Sequence, residues 1–509
     1  MTTTRIKNKG IKIKSLVFLF PIFLAIALGA CSDDGGVDTF DAGPPWDGHI
    51  EDSTVDLDGG GGDSGQDGGI SPVEPGCFYT HIPSTAGGQL GIAIRVEHPG
   101  TQGARYETGA PVVVEVSGGH GMGSLNLPES PMAANVRAGM IRIQFLYPGG
   151  TSENGDSGGD YDYRGPNCQQ ALADVILYAA GQKADEDGKL LTQRLPFALP
   201  SVVGAAGLSH GGNALLKTVE KHQQARSVLS WMMTWESPLG AQYINVELGR
   251  VGDTLNPFYT PGTCTLTSCP WPDMETQLLF DVSVQSVIRD PANGATVAIQ
   301  GVLCLDADED GICVPEEFTF PGLGGPGLSP TQPKLYHSPA LTQLLVTHAA
   351  TVFGSNGWPA WLADLNESTT FWDDRDASSS IQVLKDLDPA IPYIIGASVE
   401  DHVQGQPDHP HVRLPLQTLV DASYPFVRLN PDAVYVAGLL ELQPEDIPEN
   451  DANTGVEWPG TEEHLIPEQV EVANVCTLAA ELELSDRVYK NDWSANLTSP
   501  LVNVEPNQP

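Results

Sequence analysis

The chain has 509 residues, with 65 Asp and Glu against 25 Lys and Arg, for a formal net charge of −40. No cluster of Lys and Arg follows Lys14, so the basic stripe that a phosphate backbone requires is missing and nucleic acid is excluded as a partner. The length allows a large folded domain with an insertion.

Residues 1–30 read as an export signal: Arg5, Lys7, Lys9, Lys12 and Lys14 precede an apolar run from Leu16 to Leu28. That run is shorter than the roughly 20 residues needed to span a bilayer. It ends in Leu28-Gly29-Ala30-Cys31, which resembles the lipobox of bacterial lipoproteins. The resemblance implies acylation of Cys31 as the new N-terminus, and Ser32 after it implies a lipid-anchored outer-membrane or cell-surface location. Removing the five signal cations takes the charge from −40 to about −45. Residues 32–76 then hold twelve acidic side chains, no Lys or Arg, and runs such as Gly59 to Gly62. Such a segment buries too little apolar surface to offset its ordering entropy, so it is expected to be a disordered acidic tether.

The rest, 77–509, alternates between two periodicities. Ile92 to Val96, Val112 to Val116 and Ile141 to Tyr147 read as strands, followed by a helical stretch from Gln169 to Ala180. An apolar strand around Ser201 to Ala206, a helix from His210 to about His222 and a strand from Ser227 to Trp235 come next. This order predicts an α/β fold, a mostly parallel sheet with helices on its faces. The next buried strand, Ile391 to Gly396, stands roughly 155 residues later, too far for one crossover. An inserted cap is therefore expected at 236–386, between core portions 77–235 and 387–509. Within it, Leu341 to Phe353 and Trp358 to Leu365 look helical, and Leu279 to Val302 looks like short strands. Trp358, Trp361, Phe371 and Trp372 are candidates either for pocket walls or for the core of the insertion.

The sharpest motif is Gly207-Leu208-Ser209-His210-Gly211-Gly212, placed between an apolar strand and a helix. It reads as a nucleophile elbow, a turn tight enough to require glycine and to raise one hydroxyl above the sheet at a helix N-terminus. With this elbow and strand order, residues 77–470 resemble the α/β-hydrolase superfamily, and the doubled glycine resembles its esterase and prolyl-oligopeptidase-like branches. The resemblance implies acyl transfer through an acyl-enzyme at Ser209, with a small-molecule or peptide acyl substrate and no organic cofactor. A carboxylic ester is the first choice of substrate, a peptide bond the second. In family order the acid follows the strand after the cap, which selects Asp401, with Glu400 as the alternative. The histidine follows the next strand, Phe426 to Leu429, and His464 is the one imidazole beyond it. His402, His409 and His411 crowd a stretch expected to be a solvated loop near the site mouth, with a metal site as the lesser reading. The oxyanion donors are expected from His210 and from Ser117-Gly118-Gly119-His120-Gly121, with Gly119 or His120 as the donor. Asp162-Tyr163-Arg164-Gly165 resembles a pocket-bordering D-x-R-G segment, and a structural role is expected for Asp162 and Arg164, pairing with each other or with backbone.

A second motif places Asp306, Asp308 and Asp310 at positions 1, 3 and 5, Gly311 at 6, Ile312 at 7 and Glu317 at 12. That spacing fits a calcium loop, with the Ile312 carbonyl as a ligand, and implies a structural Ca²⁺. Cys264 with Cys269 and Cys304 with Cys313 are candidate disulfides, and of Cys77, Cys168 and Cys476 at least one is left as a free thiol. The alternative to an enzyme is a non-catalytic, calcium-stabilised surface binding module on the same fold.

Overall fold

Apolar runs such as Val112 to Val116 and Ile141 to Phe145 become strands of one eight-stranded sheet. The computed structural model describes residues 72–119, 121–125, 133–239, 250–251, 254–255, 262–267, 278–289, 296–305, 311–312, 318–320, 334–347, 349–353, 357–360, 362–397, 409–440 and 472–494. All of them fall in the compact unit Gln66–Pro509.

In chain order the first elements are β1 (Gly76–Ile82), β2 (Ile92–His98), β3 (Ala110–Val116), α1 (Ala134–Arg137) and β4 (Ile141–Phe145). They are followed by α2 (Pro166–Ala179), α3 (Leu191–Arg194), β5 (Ala198–Leu208), α4 (His210–Lys221), α5 (Gln223–Val228) and β6 (Trp231–Trp235). Two short strands, β7 (Arg250–Val251) and β8 (Thr254–Leu255), precede β9 (Leu278–Arg289), β10 (Thr296–Leu305) and β11 (Phe318–Phe320). Helices α6 (Pro339–Thr347), α7 (Ala349–Val352), α8 (Leu365–Asp373) and α9 (Ser378–Leu384) lead to β12 (Tyr393–Gly396). Helix α10 (Pro410–Asp421), β13 (Val427–Leu429), α11 (Ala433–Leu440) and α12 (Val472–Lys490) complete the described chain.

The large sheet runs β1-β2-β4-β3-β5-β6-β12-β13. Its first two pairings are antiparallel, and every pairing from β4 to β13 is parallel. Both faces are covered, which is why β3 and β5 read as near-continuous apolar runs rather than alternating ones. Val112, Val114, Val203 and Ala205 pack with α2, α4, α9 and α10, whereas Val113, Ala206, Trp231 and Met233 pack with α11 and α12. Between β6 and β12, β9 and β10 form a long antiparallel hairpin with β11 at its edge. Ala377, Ile381 and Leu384, in and beside α9, join the core of the large sheet.

Three local expectations are corrected. Residues 227–228 end α5 instead of beginning a strand. Residues 358–360 and 362–364 are not helical: Leu362 bridges to Leu335, and the helix starts only at Leu365, where Asp364 accepts from the Glu367 amide and the Glu367 carboxylate caps Asp364 in return. His409 and His411 are buried, not solvated: Pro410 is the first residue of α10, and that helix packs into the core through Val412, Leu416 and Leu419. The sequence reading also passed over β1, α10 and α12. In α12 the apolar pattern is masked by Glu481, Glu483, Asp486 and Arg487, all buried.

Candidate functional site

Strand β5 emerges from the sheet at Leu208, and the next residue turns the chain into α4. Ser209 takes φ 48° and ψ −126° at the N-cap of α4, with no side-chain cap hydrogen bond. The left-handed φ is costly for a residue with a Cβ. Neighbouring backbone holds it: the Ser209 N–H donates to the Trp235 carbonyl at 2.8 Å, and the Ser209 carbonyl accepts from the Gly212 N–H at 2.9 Å. The bend is tight enough that a Cβ on Gly207 would lie 2.6 Å from the Gly212 Cα. The hydroxyl is thus carried at the N-terminus of a twelve-residue helix, where the peptide dipoles favour developing negative charge.

The loop after β3 comes up against this bend. A Cβ on Gly118 would lie 2.6 Å from the Leu208 carbonyl and 3.0 Å from the Ser209 Cβ. Gly119 follows with φ +63°. Beneath the loop lies Arg164, 4% exposed, which donates from Nη2 to the Ser117 and Gly118 carbonyls at 3.0 and 2.9 Å and from Nη1 to the Gly121 carbonyl at 2.8 Å. In a trans peptide the C=O and N–H point in opposite directions. The N–H groups of Gly118 and Gly119 therefore face away from the guanidinium. Asp162 and Arg164 do not pair with each other. Asp162 accepts from the Asn167 and Cys168 N–H groups at the start of α2, at 2.6 and 3.2 Å. The sequence signal for Arg164 was the D-x-R-G spacing, which says nothing about which loop the guanidinium would reach.

At the same end of the sheet, β12 runs into Ala397, whose N–H and C=O are both engaged by the Asn430 side chain at 2.8 and 3.0 Å. Glu236, directly after β6, is 3% exposed with φ 41°, and its N–H donates to the Gly396 carbonyl at 2.9 Å. This buried carboxylate was not singled out from the sequence. The Cys476 thiol is pushed up by burial and further by the Glu236 charge. Ser209 is thus brought against Gly118, with His210 and Gly119 next to them in the chain, whereas His120, Glu400, Asp401, His402 and His464 lie outside the described residues.

A cavity of about 460 Å³ opens beside this end of the sheet on the α12 face, lined by Glu115, Ser117, Asn135, Leu208, Thr477 and Glu481 among others. Glu481 is driven up to about 8 by burial and then by the Glu115 charge. Asn135 donates to both carboxylates, at 3.1 and 3.2 Å.

Of the expected calcium loop, Gly311 and Ile312 are described, and Asp306, Asp308, Asp310 and Glu317 are not. Gly311 has φ +78°, the left-handed geometry that the sixth position of such a loop needs. Among the described residues no three His, Cys, Asp or Glu cluster as a metal site. Cys264 and Cys304 are in disulfide form, and their expected partners Cys269 and Cys313 lie outside the described residues. Cys77, Cys168 and Cys476 are free thiols. Cys31 and the export segment are likewise outside the described residues. Phe371 and Trp372 pack on each other and against Tyr336 and Tyr163, and Trp358 donates to the Leu362 carbonyl at 3.0 Å. Trp361 is not described.

No family model and no curated protein matches the sequence. Among solved structures, similarity extends to brefeldin A esterase, a bacterial homologue of human hormone-sensitive lipase, at 10% identity over 84% of this chain and 81% of that one, with a TM-score of 0.34. A bacterial heroin esterase matches at 16% identity over 36% of this chain and 50% of that one, TM-score 0.24. A prolyl endopeptidase matches at 15% identity over 33% and 22%, TM-score 0.23. The chain therefore spans half or less of the latter two. The strand order β1-β2-β4-β3-β5-β6-β12-β13, with helices on both faces and the sharp bend after β5, is that of an α/β-hydrolase fold.

Proposed function

We propose that this protein is a serine hydrolase that cleaves a carboxylic ester, or secondarily an amide, through an acyl-enzyme at Ser209. The observation that carries the reading is the Ser209 backbone at φ 48° and ψ −126°, held against β6 with its side chain left out of the helix cap. In the proposed cycle the His464 imidazole, oriented by Asp401, removes the hydroxyl proton as Oγ bonds to the substrate carbonyl carbon. The carbonyl π-electrons move to oxygen, which accepts hydrogen bonds donated by N–H groups of His210 and of the Gly119–His120 stretch. Collapse of the tetrahedral species expels the alcohol or amine, which takes the proton from the imidazolium. Water repeats the sequence and frees the acid.

The same proposal includes a lipid anchor on Cys31 and a structural Ca²⁺ held by Asp306, Asp308, Asp310, the Ile312 carbonyl and Glu317. No protein residue in the cycle depends on that ion. Incubating the full chain with a fluorophosphonate probe tests the reading: labelling that is abolished in Ser209→Ala is expected. No labelling, or equal labelling of the variant, refutes it in favour of a binding module. A panel of acyl esters and peptidyl amides, with and without Ca²⁺, then separates ester from amide and tests the ion.

A further inference from the structure

Two arginines lie in series between the segment preceding β12 and the loop beside Ser209. Arg375, just beyond α8, is buried with its guanidinium over the Phe371 ring at 3.5 Å. Its Nε donates to the Tyr163 carbonyl at 2.8 Å and its Nη2 to the Asp162 carbonyl. Those carbonyls belong to a turn in which two consecutive non-glycine residues, Tyr163 and Arg164, have φ 54° and 66°. Backbone of this kind persists only where its surroundings over-determine it. Here Gln169 adds a further tie, its Nε2 donating to the Arg164 carbonyl at 2.9 Å and to the Asp374 carbonyl at 2.8 Å.

The turn aims the Arg164 guanidinium at three carbonyls of the loop after β3, those of Ser117, Gly118 and Gly121. Tyr161 supports the same point, its hydroxyl accepting from Arg164 Nη1 at 2.7 Å and donating to Gly121 at 3.1 Å. The Tyr147 ring lies 3.8 Å from the guanidinium carbon on the face side. A glycine-rich loop has many accessible backbone states, so the clamp sets which way its peptides face. A peptide whose carbonyl accepts from a buried cation is also polarised, which makes its own N–H a stronger donor.

From these contacts we infer that Arg164 and Arg375 are positioning residues acting in series. Arg375 fixes the 162–164 turn to the end of α8, and Arg164 fixes the oxyanion loop, so the seating of α8 sets how well charge on the tetrahedral oxygen at Ser209 is held. This rests on the hydrolase reading. It deepens that reading by making the segment between β6 and β12 a control on turnover.

The test uses the full chain with Arg375→Met, Arg375→Lys, Arg164→Met and Arg164→Lys, assayed on an ester that the wild type cleaves. Folding is checked by thermal melting. A displaced loop is expected to lower kcat by ~10–100-fold, while KM moves by less than about threefold, because only transition-state contacts are lost. Affinity for a boronic acid, whose tetrahedral adduct mimics the oxyanion, should fall by the same factor as kcat. Added alkylguanidine should restore part of the activity of Arg164→Met but not of Ser209→Ala. Amide deuterium exchange at residues 117–121 should rise in both Arg375 variants. The inference is overturned if folded Arg375 variants keep wild-type kcat and boronate affinity, or if exchange at 117–121 is unchanged. Should the Arg164 variants fail to fold, the Arg375 pair and the exchange measurement still decide it. A wild type that neither labels nor turns over sinks the hydrolase reading instead, and the exchange comparison then reports separately on the mechanical link.

Discussion

The N–H of Ser209 donates to the carbonyl of Trp235 at 2.8 Å, so the most strained residue of the bend is tied to the strand beside its own. The tie keeps a serine at φ 48° where glycine would be at ease. Strain retained at a side chain that makes no helix-cap hydrogen bond is accounted for by what the side chain does.

Ser209→Gly is therefore expected to be more stable than Ser209→Ala by about 1 kcal/mol, since both lack the hydroxyl but only glycine relaxes the backbone. Urea unfolding of the two variants measures the difference. Equal stabilities would show that the bend is unstrained and would remove the main structural support for a nucleophile.

Helix α12 is docked by buried ions. Asp486 accepts from Arg105 Nε and Nη2, both at 2.7 Å, and from the Tyr106 and Tyr435 hydroxyls at 2.8 and 2.6 Å. Asp486→Ala would leave the Arg105 charge buried without its partner, at a cost of about 3–5 kcal/mol. A loss below about 1 kcal/mol in chemical denaturation would mean that Arg105 reaches water in the folded protein.

Glu481 gives a pH dependence of opposite sign to an ordinary salt-bridged carboxylate. Burial, and then the Glu115 charge, push it up to about 8. Its unfolded value is near 4.3, so between these limits the folded state binds the extra proton and stability falls as pH rises. The penalty is absent below the unfolded value and complete above the folded one. Glu481→Gln keeps an acceptor for Asn135 and removes that penalty. The variant is expected to melt ~2–4 °C or more above wild type at pH 9, the shift that about 1 kcal/mol produces in a mid-sized domain, with the two curves converging near pH 4.5. A constant offset across pH would show that Glu481 does not titrate in this range.

The elements carrying the sheet were legible because a strand covered on both faces must be apolar throughout, and the runs at Val112 to Val116 and Ser201 to Ala206 have no other use. The elbow was legible for a similarly local reason, since a strand-to-helix bend needs glycine at fixed offsets from its central residue. Helix α12 was not legible. Its buried Glu483 is satisfied by Arg428 Nη1 and Arg487 Nε at 2.6 and 2.7 Å, and one partner lies 55 residues away, where no periodicity could indicate it. His409 and His411 were misread for the same reason: their burial depends on what α10 packs against, not on their neighbours in the chain.

What the sequence determined by itself was the order of the central strands β2 to β6, β12 and β13, with helices α2 and α4, and the position of the sharp bend, because these follow from short-range sterics and from which residues must leave water. Only the tertiary structure decided that Arg164 grips the loop after β3 while Arg375 grips the turn carrying Arg164. Those contacts join residues 46 and 213 positions apart. A guanidinium can satisfy its donors on any carbonyl the fold presents, so its partner is set by the packing of the sheet and its helices and leaves no mark in the local sequence.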